Sequence, residues 1–282
     1  MLAALRLVRA GNLGVSFVGT VVGGLVARAS GVEAPVAFWL LLVLAALSTS
    51  LVTGGGNVLN DVLDRRSDRT NHPERPLVTG DVSVGSAKVL AVVLFVLGVV
   101  VAVPVVIVRP LVGAILAVAI VALLAYEFRF KSRGLAGNAV VALLTGLVFL
   151  YGGAAAGAAV LLVPFAAMAF LATLSREVIK DMEDAAGDVD RRTLPLTRGL
   201  GAATAVARAA VAIAIVLSAA PLAWFVAPAS GVGIIYLVLV GAADATFVAS
   251  VAYLPQRLHL EQSTSKLAMT VALFAFLAVA FR

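Results

Sequence analysis

Nine apolar stretches of about 20 residues run through this chain, and short polar connections separate them. An α-helix of about 20 apolar residues spans the hydrocarbon core of a bilayer, whereas the strands of a membrane barrel are about 10 residues long and alternate apolar with polar positions. These stretches are apolar on all sides, so the sequence predicts an all-α, polytopic membrane protein with nine transmembrane helices. The predicted spans cover residues 10–28, 36–57, 84–106, 110–128, 137–157, 160–175, 202–226, 231–254 and 265–281.

The composition supports the membrane prediction and limits the chemistry. Charged residues make up 13% of the chain and the mean hydropathy is +1.10, whereas soluble domains carry about 25% charged residues. The absence of cysteine excludes disulfides, thiolate metal sites and thiol catalysis. The two histidines, His72 and His259, are too few for a histidine metal site. A bound metal would therefore take oxygen ligands, which favours Mg²⁺, Mn²⁺ or Ca²⁺.

Basic residues are biased to one side of the predicted bundle. All but three of the 21 Lys and Arg residues lie at the N-terminus or in and beside the second, fourth, sixth and eighth connections, and the exceptions are Arg28, Arg109 and Arg282. Because cytoplasmic loops are enriched in Lys and Arg, we expect the N-terminus and these connections to be cytosolic in a cell-membrane protein. The net charge of +6 then reflects topology and contacts with anionic ligands and membrane lipids, and we expect no nucleic-acid partner.

The second connection carries an Asp-rich segment, residues 57–80, that follows its span without a break. Asn60, Asp64 and Asp68 are spaced i, i+4, i+8, and Asp61 lies three positions before Asp64. On a continuing helix these side chains fall on one face, about one turn apart. Stacked carboxylates repel each other unless a cation bridges them, so the pattern indicates a cation site.

The sixth connection carries a second Asp-rich segment, residues 175–199, in which Asp181, Asp184 and Asp188 are spaced i, i+3, i+7. A single acidic residue at a helix end is often merely solvated, but two such segments on one membrane face indicate function. Both segments continue into Arg residues and a Pro-Leu…Gly turn. This similarity predicts a pseudo-repeat of two halves within a single transmembrane domain, residues 1–282.

The residue types in these segments suggest phosphate chemistry. Carboxylates suit Mg²⁺ ions that are shared with phosphate oxygens, and the neighbouring Arg and Lys residues suit the same phosphates. A diphosphate at the end of an apolar helical bundle suggests that a lipid-like allylic diphosphate is ionised there. A cation transporter is the non-enzymatic alternative, but it would place its polar residues near the midplane in broken helices. A CDP-alcohol phosphotransferase is the enzymatic alternative, but its DGxxAR motif is missing.

The two Asp-rich motifs and the tract between them resemble those of a known family. NDVLDRRSD, from Asn60 to Asp68, is similar to the NDxxDxxxD motif of the UbiA superfamily of intramembrane prenyltransferases, and DAAGD, from Asp184 to Asp188, is similar to its DxxxD motif. The tract YEFRFKSRGLAGN resembles the Tyr–Lys element between those motifs. The resemblance implies an all-helical fold with nine spans around a central cavity that opens to the lipid, two Mg²⁺ ions, and a prenyl diphosphate and a lipid-like acceptor as substrates.

The resemblance also implies roles for individual residues. One Mg²⁺ would be bound by the first motif and the other by the second. A Lys that binds the diphosphate and a Tyr that stabilises the prenyl carbocation would contribute to catalysis. The implied metal ligands are Asn60, Asp61, Asp64, Asp68, Asp181, Asp184 and Asp188. The implied catalytic residues are Asp64, Asp68, Asp184, Asp188, Lys131 and Tyr126. The implied substrate-binding residues are Arg9, Asn12, Arg69, Arg75, Lys131, Arg176 and Lys180.

The sequence around the second motif resembles one subgroup of the family. REVIKDMEDAAGD followed by RTLP resembles the archaeal digeranylgeranylglyceryl phosphate synthases. This implies geranylgeranyl transfer from geranylgeranyl diphosphate to the hydroxyl of geranylgeranylglyceryl phosphate in ether-lipid biosynthesis, with Lys180 and Arg176 near the acceptor phosphate. The alternative is an aromatic acceptor of the 4-hydroxybenzoate or quinone type.

Overall fold

The computed structural model describes residues 2–31, 37–185 and 192–281, and these residues form helices and turns with no strand among them. Within this part of the chain, nine helices are long and apolar enough to cross a membrane, which confirms the all-α, nine-span prediction. Helices satisfy their own backbone hydrogen bonds, as the hydrocarbon interior of a bilayer requires. The α-helices are α1 Leu2–Val8, α2 Ala10–Ala29, α3 Phe38–Asn71, α4 Pro76–Thr79, α5 Val84–Val108, α6 Pro110–Ala125, α7 Leu135–Ala155, α8 Val163–Asp184, α9 Leu194–Leu217, α10 Ala220–Trp224, α11 Gly231–Ala252 and α12 Leu258–Val279.

Two helices extend well beyond their predicted spans. As the sequence predicts for both Asp-rich segments, each helix continues past its apolar span: α3 continues from about residue 57 to Asn71, and α8 continues from about residue 175 to Asp184. Apolar length measures only the part of a helix that lies in hydrocarbon, whereas a helix can continue into the interface. The two polar extensions carry the first Asp-rich segment and the first part of the second.

The seventh predicted span is broken rather than continuous. Helix α9 ends at Leu217, and Pro221 lies in the first turn of the short α10. Proline has no N–H to donate and fits best in the first turn of a helix, where that N–H would have no partner within the helix. The polar groups at the break have partners, because the Tyr236 hydroxyl donates to the Ser218 carbonyl at 2.6 Å and the Ser218 hydroxyl lies 2.8 Å from Asp244 Oδ2.

Close helix packing depends on glycine where α2 crosses α7. A Cβ added to Gly152 would collide with the carbonyl oxygen of Thr20, and a Cβ added to Gly23 would collide with the carbonyl oxygen of Phe149. Small residues at such crossings allow the two backbones to approach, which is how membrane helices gain packing energy without a hydrophobic drive. The pseudo-repeat of two halves stays a prediction.

Candidate active site

The polar end of α3 forms the floor of the candidate site. The helix is continuous from Phe38 to Asn71, so the one-face arrangement predicted for its Asp residues is present. The side chains of Asp61 and Asp68 are only 3% and 6% exposed. Buried carboxylates are tolerated only when they are paired, so their partners determine the site.

Arg9 provides the first partner. It connects α1 to α2 in a left-handed conformation with φ of 55°. Helix α1 is fixed against α3 because Leu7 is buried in one cluster with Val58, and because the Asn57 amide donates to the Val8 carbonyl at 2.9 Å. The Arg9 guanidinium then lies 2.6 Å from Asp61 Oδ1, and it also donates to the amide oxygen of Asn60.

Arg75 provides the second partner from the turn after α3. The chain reverses there because the His72 N–H donates to the Asp68 carbonyl at 2.8 Å and the Arg75 N–H donates to the His72 carbonyl at 3.1 Å. Arg75 Nη1 lies 2.6 Å from Asp68 Oδ2 and 3.1 Å from Asp61 Oδ1. One guanidinium therefore bridges two buried carboxylates that lie about two turns apart on α3.

Lys131 provides the third partner from the connection between α6 and α7. A π-helical turn, Tyr126–Phe130, ends α6, and the Lys131 N–H donates to the Tyr126 carbonyl at 2.9 Å. Such turns are frequent at functional sites. Lys131 Nζ lies 2.7 Å from Asp64 Oδ2, 2.8 Å from Glu127 Oε2 and 5.9 Å from the centre of the Tyr126 ring. The Tyr–Lys element and the first Asp motif thus meet at the contact between Lys131 and Asp64.

The second Asp-rich segment lies on the same face of the bundle. Asp181 Oδ2 accepts a hydrogen bond of 2.7 Å from the Asn138 amide on α7, and Asp184 is exposed. The Arg192 N–H donates to the Ser132 carbonyl at 3.2 Å, next to the Lys131 connection. Asp188 lies outside the described residues.

The structure brings some of the predicted site residues together and leaves others apart. Seven of them form one cluster: Arg9, Asn60, Asp61, Asp64, Asp68, Arg75 and Lys131. Within it, Glu127 connects the pair of Asp64 and Lys131 to the other five. Arg176 pairs with the adjacent Glu177 instead of reaching the cluster. Asn12, Arg69 and Lys180 are exposed. The substrate contacts predicted for these four residues stay predictions.

Two residues in the site were missed by sequence reasoning. Glu127 accepts hydrogen bonds from both Lys131 and Asn60, and Asn138 donates to Asp181. Glu127 precedes Lys131 by four positions, but that spacing is also typical of exposed helix pairs. Asn138 lies in the quoted GLAGN tract, where nothing in the sequence identifies its partner. Only their contacts with other helices in the folded structure identify these two side chains as part of the site.

The donor set fits a hard divalent cation. Among the described residues, which exclude Asp188, no group of three or more His, Asp or Glu side chains is close enough to hold a metal. However, the Arg75 guanidinium stands between two carboxylates, and the Lys131 ammonium stands between two others. Mg²⁺ is usually bound by one or two carboxylates together with phosphate oxygens of a substrate, so it does not need three protein carboxylates. The residues therefore fit the ion that the resemblance implies.

The described part of the chain contains nine candidate membrane spans, and carboxylates and cations cluster at one end of its helices. These features define a multi-pass membrane protein with a polar site suited to anionic ligands. Residues 16–279 match the model of the UbiA prenyltransferase family. The chain therefore belongs to the UbiA prenyltransferase family, and it is a prenyltransferase enzyme.

Known proteins of this family resemble the chain along most of its length. The digeranylgeranylglyceryl phosphate synthase of Methanoculleus marisnigri is 40% identical over 202 residues, which cover 70% of this chain and 69% of the relative. The structure of a digeranylgeranylglyceryl phosphate synthase matches with a TM-score of 0.79 and 28% identity, covering 99% of this chain and 97% of that chain.

A second solved structure supports the fold alone. A UbiA homolog from Archaeoglobus fulgidus, bound to GPP and Mg²⁺, matches with a TM-score of 0.67 at 18% identity, covering 99% of this chain and 100% of that chain. The fold of the described residues is thus shared with a homolog that has diverged widely in sequence.

Proposed function

We propose that this enzyme transfers a geranylgeranyl group from geranylgeranyl diphosphate to the free hydroxyl of geranylgeranylglyceryl phosphate, in an Mg²⁺-dependent step of ether-lipid biosynthesis. The observation that carries the proposal is the 40% identity to a synthase of that name. The cluster at the end of α3 supports it, because a diphosphate substrate needs both metal ligands and cations.

The metal-binding residues in this proposal are those of the two Asp motifs. The first ion is assigned to Asn60, Asp61, Asp64 and Asp68, and the second to Asp181, Asp184 and Asp188. Bound Mg²⁺ would neutralise the diphosphate and make it a better leaving group. Three carboxylates of the first motif contact a Lys or Arg cation within 3.1 Å, which supports their assignment to a cation-binding site.

The chain's own cations would bind the diphosphate. Lys131, Arg75 and Arg9 lie around the first motif, and Arg69 lies one residue beyond it. Charged hydrogen bonds to a diphosphate strengthen as negative charge develops on the leaving group, so these residues favour the transition state over the bound substrate. The Tyr126 ring is assigned to the prenyl carbon that becomes positive.

The reaction then exchanges one carbon–oxygen bond for another. The bond between C1 of the prenyl chain and the diphosphate oxygen breaks, and both electrons leave with the diphosphate. The acceptor hydroxyl oxygen attacks C1 and forms the ether, and its proton passes to the released diphosphate or to a carboxylate. A hydroxyl that attacks an allylic cation needs only a weak base of this kind.

Two basic residues at the end of α8 are assigned to the phosphate of the acceptor. Arg176 and Lys180 are spaced i, i+4 on one face of the helix. Lys180 is exposed, and Arg176 is held by Glu177. An aromatic carboxylic acid carries no phosphate, so this pair favours the glyceryl phosphate acceptor.

We also propose that the site faces the cytosol. The contacts of Arg9, Asp61 and Lys131 join the start of α2, the end of α3 and the connection between α6 and α7 at one face. These are the segments in which Lys and Arg are enriched, which is typical of the cytosolic side.

An acceptor panel tests the proposal. Purified protein in lipid nanodiscs would receive labelled geranylgeranyl diphosphate and either geranylgeranylglyceryl phosphate or 4-hydroxybenzoate, with Mg²⁺ or with a chelator. We expect a diether product from the glyceryl phosphate only, and no product when the metal is chelated. Transfer to 4-hydroxybenzoate without transfer to the glyceryl phosphate would contradict the proposed acceptor.

A further inference from the structure

The carboxylate of Glu127 contacts two residues of the site, Asn60 on α3 and Lys131 in the connection between α6 and α7. Its side chain is only 4% exposed. One oxygen, Oε1, accepts from the amide nitrogen of Asn60 on α3 at 2.8 Å, and the other, Oε2, accepts from Lys131 Nζ at 2.8 Å. Both oxygens of this buried carboxylate therefore bond to residues assigned to the metal and the diphosphate.

The first contact fixes which way the Asn60 amide points. Because Nδ2 donates to Glu127, Oδ1 must face the opposite direction, where it accepts from the Arg9 guanidinium at 3.2 Å. Only the oxygen of an amide is a ligand for a hard cation. A residue that accepts from Nδ2 therefore determines whether Asn60 offers an oxygen or a nitrogen to the site.

The second contact, between Glu127 and Lys131, holds the Lys131 ammonium in place when Asp64 binds a metal ion instead of Lys131. The ammonium lies between Asp64 Oδ2 at 2.7 Å and Glu127 Oε2 at 2.8 Å. When Asp64 binds a metal ion, its contact with Lys131 is weakened, but the contact with Glu127 on the same turn remains. The ammonium then stays within reach of Asp64 and of the diphosphate instead of moving into solvent.

We propose that Glu127 is a positioning residue, whose two carboxylate oxygens orient the Asn60 amide and retain the Lys131 ammonium so that both face a metal-bound prenyl diphosphate. This inference rests on the proposed function only in that the substrate is a prenyl diphosphate. Outer-shell partners of this kind change metal affinity by roughly 10- to 100-fold.

The substitution Glu127→Gln tests the proposal, because glutamine keeps the shape but has one acceptor oxygen and one donor nitrogen. It can accept from Asn60 or from Lys131, but not from both. The measurement is Mg²⁺-dependent binding of geranylgeranyl thiolodiphosphate, an analogue that ionises poorly, by titration calorimetry without acceptor. We expect binding of the analogue at limiting Mg²⁺ to weaken about tenfold, and the thermal midpoint to fall no further than in Asp64→Asn, which removes the other carboxylate that contacts Lys131.

Glu74→Gln is the matched control. Glu74 is 72% exposed in the turn after α3, so this variant loses the same charge from the same face of the protein. We expect its binding of the analogue to match the wild type. An equal loss of binding in Glu74→Gln would overturn the proposal, because the effect of Glu127→Gln would then come from net charge alone.

A double variant separates the two contacts and guards against misfolding. Lys131→Met removes the ammonium, and adding Glu127→Leu then also removes the acceptor of the Asn60 amide, whereas Asp64 loses the same cation in both variants. If Glu127 also orients Asn60, the double variant binds Mg²⁺ and the analogue more weakly than Lys131→Met alone. Equal binding by these two variants, or wild-type binding by Glu127→Gln, would overturn the proposal. If the wild type itself fails to bind the analogue, the proposed function fails instead.

Discussion

The two Asp-rich segments continue their helices in similar ways but are held differently. In the first, three cations from other parts of the chain contact the carboxylates, and Asp61 and Asp68 are almost fully buried. In the second, Asp181 is half-buried and accepts from the neutral amide of Asn138, and Asp184 is exposed. Among the described residues, two carboxylates of the first segment thus lie in the core, whereas Asp184 of the second segment lies at the surface.

Because of this difference, we expect substitutions in the two segments to have different effects on stability and on activity. A buried carboxylate that loses its cation destabilises the fold, whereas an exposed carboxylate can be replaced at little cost to the fold. We therefore expect substitutions around the first segment to affect both the free energy of unfolding and turnover. Substitutions in the second segment should affect mainly turnover.

The largest expected effect is on turnover in Asp64→Asn and Asp184→Asn. Each substitution removes a charge assigned to a metal ion, and losses of one electrostatic contact at a reacting centre cost about 10²- to 10³-fold in rate. The two variants should differ in stability, since Asp64 contacts Lys131 and Asp184 is exposed. Prenyl transfer assays and thermal unfolding in detergent would check both points. Wild-type turnover in both variants would refute the metal assignment.

The second effect is on stability in Arg75→Ala. This guanidinium bridges Asp61 and Asp68, so its removal leaves two buried carboxylates without that partner, at a cost of roughly 3 kcal/mol in the free energy of unfolding. Arg75→Lys should fall between the wild type and Arg75→Ala, because an ammonium lacks the planar fork of donors. Arg176→Ala, which changes the second segment, should be much milder. Equal losses in Arg75→Ala and Arg176→Ala would contradict the comparison.

Apolar length, Lys and Arg bias and Asp spacing were sufficient to predict the helical fold, the number of spans and the one-face stripe on α3. They could not predict the break after Leu217, because a proline in a long apolar run leaves the apolar pattern unchanged. The roles of Glu127 and Asn138 also depend on contacts between residues 67 and 43 positions apart. Local spacing carries no information on which distant side chain will complete such a hydrogen bond.

A smaller effect is expected for Asn138→Ala on α7. It removes the amide that donates to Asp181 at 2.7 Å, and loss of one such hydrogen bond costs about 1 kcal/mol. Because the amide also orients a carboxylate assigned to the metal, turnover should fall about tenfold. Thermal unfolding and Mg²⁺ titration of activity would measure the two effects. A large loss of stability without a change in the Mg²⁺ requirement would show that Asn138 serves the fold rather than the site.

The smallest effect is expected for Glu183→Gln and His259→Ala, although Glu183 is adjacent to Asp184 in the second segment. Neighbouring residues on a helix point about 100° apart, so Glu183 cannot share the face of Asp181 and Asp184. Its carboxylate lies 3.0 Å from His259 Nδ1, on a side chain that is 88% exposed at the start of α12. Both variants should therefore keep wild-type stability and turnover in the assays used for Asp184→Asn. A loss of turnover in Glu183→Gln comparable to that in Asp184→Asn would mean that the second metal is bound from the α12 side of α8, and the ligand set of that segment would have to be reassigned.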